Sequence, residues 1–179
     1  LNRVNWDVRY DAPPVFTHSF EINANPGQTP AQPEGPLALP GVYTVRLTVN
    51  GKAYSQTATV TNDPRSPATM VELRAQHGLL TKISDGLQAS WTGHEQTVAL
   101  RAGVEQAVGA TAPADVAAAA ANIRAKIDSV AKGAGGGRGG AVGGAVGRGA
   151  KPVPNFVGVN GALVQLLNAQ DSGDMAPSP

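Results

Sequence analysis

The stretch PGVYTVRLTVNGKAYSQTATV, residues 40–60, constrains the fold more than any other part of the chain. Pro40-Gly41 turns the backbone into a run that places Tyr43, Val45, Leu47 and Val49 on one face, the period of two of a half-buried strand. Asn50-Gly51 supplies the two positive-φ positions of a type I′ hairpin turn. The return strand offers Tyr54, Ala58 and Val60 to the same side.

The residues before it read as further β structure. In RVNWDVRY, Val4, Trp6, Val8 and Tyr10 alternate with Asn5, Asp7 and Arg9, so a strand with a buried Trp6 anchor is expected. VFTHSFEI groups Phe16, His18, Phe20 and Ile22 as a second strand signal. Five prolines with Gly27 and Gly35 make residues 23–40 a long loop. With no helical period between these strands, residues 1–62 are expected to form a small antiparallel Ig-like sandwich.

The pattern changes after NDPRSP. Ser66 is the expected N-cap, with Pro67 at the first helical position. Leu73, Leu80, Ile83, Leu87 and Trp91 then form one helical stripe, continuing through His94 and Val98 to Val104 and Val108. Either one long helix or two broken near Thr92-Gly93 satisfies this spacing. Gly109 ends it and Pro113 starts the next, in which Val116, Ala120, Ile123, Ile127 and Val130 share a face. Neither helix is stable alone, so the two are expected to pack as a helical hairpin over residues 63–132. Residues 133–149 contain ten glycines in seventeen positions, a composition expected to be a flexible linker, roughly 23 Å end to end. With residues 133–151 as linker, residues 152–179 carry a short terminal helix with Phe156, Val159, Leu163 and Leu166 or Leu167 as its stripe. The whole is an α+β chain.

Chemistry-bearing residues are sparse. The chain has no cysteine, which removes disulfides, thiolate metal sites and cysteine nucleophiles. The net charge of +1 gives no broad attraction to nucleic acid, and no apolar stretch reaches the roughly 18 residues of a membrane helix. His18, His77 and His94 lack metal-site spacing, so structural or surface roles are expected. Asp7, Asp11 and Glu21 read as solvated strand-face acids. A glycosidase needs its two carboxylates across a sugar-binding cleft, and some sixty residues are too few to build one. Asp171 to Asp174 lacks the oxygen spacing and terminal Glu of a calcium loop and reads as a turn. GGGRGG has too little charge to hold phosphate. Trp91 is a candidate for docking the helices against another part of the protein. No catalytic, cofactor-binding or metal-ligating residue is assigned.

NRVNWDVRY followed by GPLALPGVYTVRLTVNGKAYSQTATVTNDPR resembles the Ig-like module that follows the β-propeller in bacterial BNR-repeat, sortilin-like proteins, often labelled glycosyl hydrolases or sialidase-like. The same hairpin resembles the Ig-like domain of flagellar hook-capping proteins. ELRAQHGLL and FVGVNGALVQLLNAQDSGDMAPSP resemble the helical tail of the first family. The resemblance covers residues 1–100 and 152–179; the Gly-rich tract departs from it as a lineage-specific linker, and the last helix of the tail is missing. It implies a non-catalytic accessory region of a periplasmic or extracellular protein, cut at its edges, with an N-terminal β-propeller of the same polypeptide as partner and a protein or glycan as ligand. No Asp-box pattern (S-x-D-x-G-x-x-T-W) occurs, so no catalytic residue carries over. The alternatives are a stand-alone carbohydrate- or surface-binding module, or part of a glycoside hydrolase whose catalytic propeller lies elsewhere. Trp6 and the three tyrosines all fit buried positions, which counts against a sugar platform.

Overall fold

The computed structural model describes residues 5–17, 33–109, 111–132 and 154–171. They form a mixed α+β arrangement: strands β1 (Gly41–Val49) and β2 (Lys52–Val60), then helices α1 (Met70–Val108), α2 (Ala114–Lys132) and α3 (Phe156–Gln170). The Gly-rich tract and Asp174 lie outside the described residues.

The hairpin forms as its sequence dictates. β1 and β2 pair antiparallel without a bulge from Gly41↔Val60 to Val49↔Lys52, and Asn50 and Gly51 take φ of 50° and 79°. Among the described residues the sheet has these two strands only. The strand expected over residues 4–10 is reduced, over the described residues 5–10, to a single bridge, Arg9↔Leu37. Its alternation breaks at Val8, which sits at φ 59°, a region β-branched residues seldom occupy. The turn is held by Asp7, whose Oδ1 accepts from the Arg9 amide at 3.1 Å. Around the bridge, Tyr10 N donates to Pro36 O at 3.0 Å and Ala38 N to Val8 O at 2.8 Å. The two backbones approach so closely at Gly35 that a Cβ there would collide with the Tyr10 and Asp11 carbonyls. The second strand signal also fails over Val15–Thr17, which have no regular structure; His18, Phe20 and Ile22 lie outside the described residues.

Helix α1 starts at Thr69, not at the expected Ser66. Thr69 and Glu72 form a reciprocal capping box, with Glu72 Oε2 accepting from Thr69 N at 2.7 Å. Ser66 instead closes a turn, its amide donating to Asp63 O at 2.9 Å. The helix runs unbroken through Thr92-Gly93 for 39 residues, about 58 Å at 1.5 Å per residue, and stops at Gly109 with φ 64°.

Helices α3 and α2 follow one another along this spine. The α3 helix runs antiparallel to the first half of α1: Phe156 lies against Gly93, Leu163 against Gly86, and Gln76 donates to the Gln170 carbonyl at 3.3 Å. The α2 helix returns along the second half, where Arg101 pairs with Asp128 at 3.2 Å. The core is one cluster between α1 and α3, made of Leu80, Ile83, Leu87, Val164 and Leu167 and bordered by Val15, Leu79 and Leu163. Each of the five buried side chains contributes roughly 1.5–3 kcal/mol by burial.

The stripes shift relative to expectation. All buried residues of α1 precede Trp91, and they include Gln76 and Ser90. On α3 the buried positions are Asn160, Val164, Leu167 and Gln170, while Val159 and Leu166 of the expected stripe stay partly in solvent. On α2, Ala120, Ile127 and Ala131 are buried, but Val116, Ile123 and Val130 are half-exposed, because packing on α1 and a smaller contact with α3 leave part of the apolar arc uncovered.

Candidate interaction surface

Polar side chains converge at two places, and both hold the fold together. Asn160, fully buried at 0% exposure, donates from Nδ2 to Ser90 Oγ at 2.9 Å and to Pro14 O at 3.2 Å. Its Oδ1 accepts from the Phe16 amide at 3.3 Å. One amide thereby fastens residues 14–16 to α1 and α3. Beside it, Phe16 stacks on Trp91 with ring centroids 4.7 Å apart and meets the edge of His94 at the same separation. Trp91 thus docks the N-terminal segment. Arg9, placed on the polar face of a strand by its sequence pattern, is instead largely enclosed. It donates to the Gly35 carbonyl at 2.8 Å and pairs with Glu34 and Asp171, each at 3.1 Å. Asp171 also caps α3, its amide donating to Leu167 O.

The residues singled out for chemistry do not come together. His77 Nδ1 lies 2.9 Å from the Leu37 carbonyl, a geometry that places the ring proton on Nδ1, and its ring rests against Tyr10. His94 Nε2 and Ser84 Oγ are buried without a hydrogen-bond partner. Asp7 and Asp11 are exposed, and Glu21 and His18 lie outside the described residues. Among the described residues no three His, Asp or Glu side chains are placed to share a metal ion. A cavity of about 20 Å³ lined by Leu37, Leu39, Leu73, Gln76, His77 and Leu80 has room for about one water molecule. No helix among them is long and apolar enough to cross a membrane.

The feature that stands open is the hairpin. Its base is anchored: Tyr43 donates to the Leu39 carbonyl at 2.7 Å, and the edge of Trp6 meets the Tyr43 ring at 5.4 Å. Partial burial, and after it the neighbouring Tyr10, hold the Tyr43 phenol above its usual pKa. Beyond that base every residue from Thr44 to Thr57 is exposed. Strand register puts Tyr43, Val45, Leu47, Val49, Lys52, Tyr54, Gln56 and Ala58 on one face, where Gln56 lies opposite Val45, and the Thr-rich opposite face carries Arg46. The apolar row is half in solvent: Val45 51%, Leu47 57%, Val49 47% and Tyr54 51% exposed, with Trp6 at 46% and Tyr10 at 53% beside it. The burial expected of Trp6, Tyr10 and Tyr54 is therefore corrected, while Tyr43 is partly buried, because the described residues supply no second layer over this face. Sequence patterning identifies the face but not that it is uncovered.

No family model matches the chain, and comparison with curated proteins and with solved structures returns no match.

Proposed function

We propose that this chain is a non-catalytic accessory region that works through assembly, of the kind that follows the β-propeller in exported BNR-repeat, sortilin-like proteins. In this reading the hairpin is one layer of an Ig-like sandwich, the protein works in the periplasm or outside the cell, and any hydrolase-like chemistry belongs to a propeller outside this chain. The observation that carries it is the contrast between a closed α1–α3 core and an amphipathic hairpin whose apolar face is bare. A two-stranded ribbon is at best marginally stable in water, and exposed apolar patches of this kind mark interaction sites.

The reading frame upstream of Leu1 tests the proposal. A run of Asp-box repeats there supports it; a signal peptide leading directly into Leu1 overturns it. Hydrolysis of an aryl glycoside by the chain, lost in Asp7→Asn, overturns its non-catalytic part. A second reading, carbohydrate binding, gains from the half-exposed Trp6, Tyr10 and Tyr54, since exposed rings stack on sugars. Against it, the row between those rings is Val45, Leu47 and Val49, which leaves Gln56 and Lys52 as the polar strand side chains on that face able to bond sugar hydroxyls. Micromolar retention on a glycan array would decide for that reading.

A further inference from the structure

The hairpin carries its own complement. Its tip, on the apolar face, bears Lys52, whose ammonium lies 5.2 Å from the Tyr54 ring centroid. Its base bears Trp6 against Tyr43, with the exposed Asp7 next to Trp6 and Asp11 next to Tyr10. Arg46 and Lys52 are the only charges between Gly41 and Val60, and neither is acidic. From the level of Tyr43 to the level of Val49 is about 20 Å of strand.

We infer that the apolar face of the β1–β2 hairpin docks on the same face of a second copy of this chain, forming a two-layer sandwich about a two-fold axis. The inference rests on the reading of the hairpin as an assembly element, and names what covers it. With the axis crossing the strands midway between Val45 and Leu47, the copies run antiparallel. Leu47 of each then packs over Val45 of the other, Tyr54 of each lies over Gln56 of the other, where the amide meets the tyrosine, and each Val49 tip reaches the other's Tyr43 and Trp6. Lys52 of one approaches Asp7 of the other, at both ends of the interface. The parallel alternative sets Lys52 against Lys52 and leaves the acidic bases facing each other. Arg46 and the threonines of the opposite face remain in solvent in the antiparallel arrangement.

The area sets the strength. Trp6, Tyr10, Val45, Leu47, Val49 and Tyr54, each about half exposed, present on the order of 500 Å² per copy. Two copies together bury about 1,000 Å², the lower end of specific interfaces. The dimer is therefore weak and reversible, and its population depends on concentration.

Sedimentation equilibrium of the whole chain over a hundredfold concentration range tests this. The expected result is a mass rising from 18.2 kDa toward twice that value. Leu47→Asp, at an exposed position, abolishes the rise while leaving far-UV circular dichroism unchanged. Lys52→Glu weakens association about tenfold through like-charge contact with Asp7, and adding Asp7→Lys restores it. A chain that stays monomeric throughout overturns the inference, as does a dimer indifferent to Leu47→Asp. Failure of the charge swap to restore Lys52→Glu overturns the antiparallel register. Retention of a monomeric chain on a glycan array also overturns it. A monomer preceded by Asp-box repeats removes the dimer and leaves the accessory reading standing; a dimer with no propeller upstream does the reverse.

Discussion

Removing the Asn160 amide should cost the fold about 3 kcal/mol, and the structure apportions that figure. The side chain is 0% exposed, so no water replaces its bonds. Deleting it leaves the part-buried Phe16 amide, which donates to Oδ1 at 3.3 Å, without that acceptor, at about 1–3 kcal/mol to the extent that water is kept from it. The Pro14 carbonyl loses its donor. In Asn160→Ala a void of amide size adds roughly 1 kcal/mol. For a chain of 179 residues, a loss of about 3 kcal/mol lowers Tm by about 6–12 °C. Asn160→Leu separates the causes, since leucine fills the space but restores no hydrogen bond. If the bonds matter, it should be nearly as destabilised as Asn160→Ala. Urea unfolding followed by circular dichroism, with calorimetry for Tm, measures the loss. Trp91 fluorescence in a Trp6→Phe background reports whether Phe16 has left its stack. An Asn160→Leu protein within about 0.5 kcal/mol of the parent would refute the reasoning, because the site would then be a packing position with a dispensable amide.

Other substitutions probe other parts of the frame. Gly93→Ala should destabilise by about 1–2 kcal/mol, because its Cβ would meet the Phe156 ring and that overpacking outweighs the gain in helix propensity. Gly103→Ala, with nothing within 4 Å, should instead stabilise by up to about 1 kcal/mol; paired thermal melts give both signs. Arg9→Ala should cost about 1.5–3 kcal/mol in urea titrations, and Arg9→Lys should recover less than half, since one ammonium cannot reach Glu34, Asp171 and Gly35 together. The Glu72 carboxyl is held below its ordinary value of 4.5 first by the Thr69 amide and then by the Thr69 hydroxyl. Its capping contribution is therefore complete above the unfolded pKa and is lost as pH falls through the lowered folded one. An NMR titration of the Glu72 carboxyl should show the depression, and Thr69→Ala should shrink it.

Where the sequence is legible, the reason is local. Asn50-Gly51 and the alternation of Tyr43 to Val49 specify a hairpin with no help from elsewhere, and Leu73, Leu80, Ile83 and Leu87 mark the packed face of α1. What local pattern does not carry is tertiary. Arg9 and Asp7 look like the solvent side of a strand because alternation treats every charge as exposed; burial of Arg9 depends on Glu34 and Asp171, which no local pattern connects to it. Asn160 and Ser90 interrupt apolar stripes, so periodicity gives no sign that they are buried. Ser66 is a good cap by residue type, but Thr69 has a glutamate three residues on and wins with a two-way bond. The bare hairpin face is invisible in the sequence because periodicity states which side wants burial and says nothing about whether a neighbour exists.

The long-range ties through Asn160 and Arg9 also order events in time. Hairpin β1–β2 and the α1–α2 pair join neighbours in the chain and can form early. The core has to wait for α3: Asn160 reaches back 144 and 146 residues to Phe16 and Pro14, and Asp171 reaches 162 residues to Arg9. Closing contacts of such separation is entropically slow. On the ribosome, Leu80, Ile83 and Leu87 therefore stay uncovered until nearly the whole of this stretch has been made. During that interval the nascent chain offers its apolar stripe to chaperones, or to a neighbouring chain in the same condition.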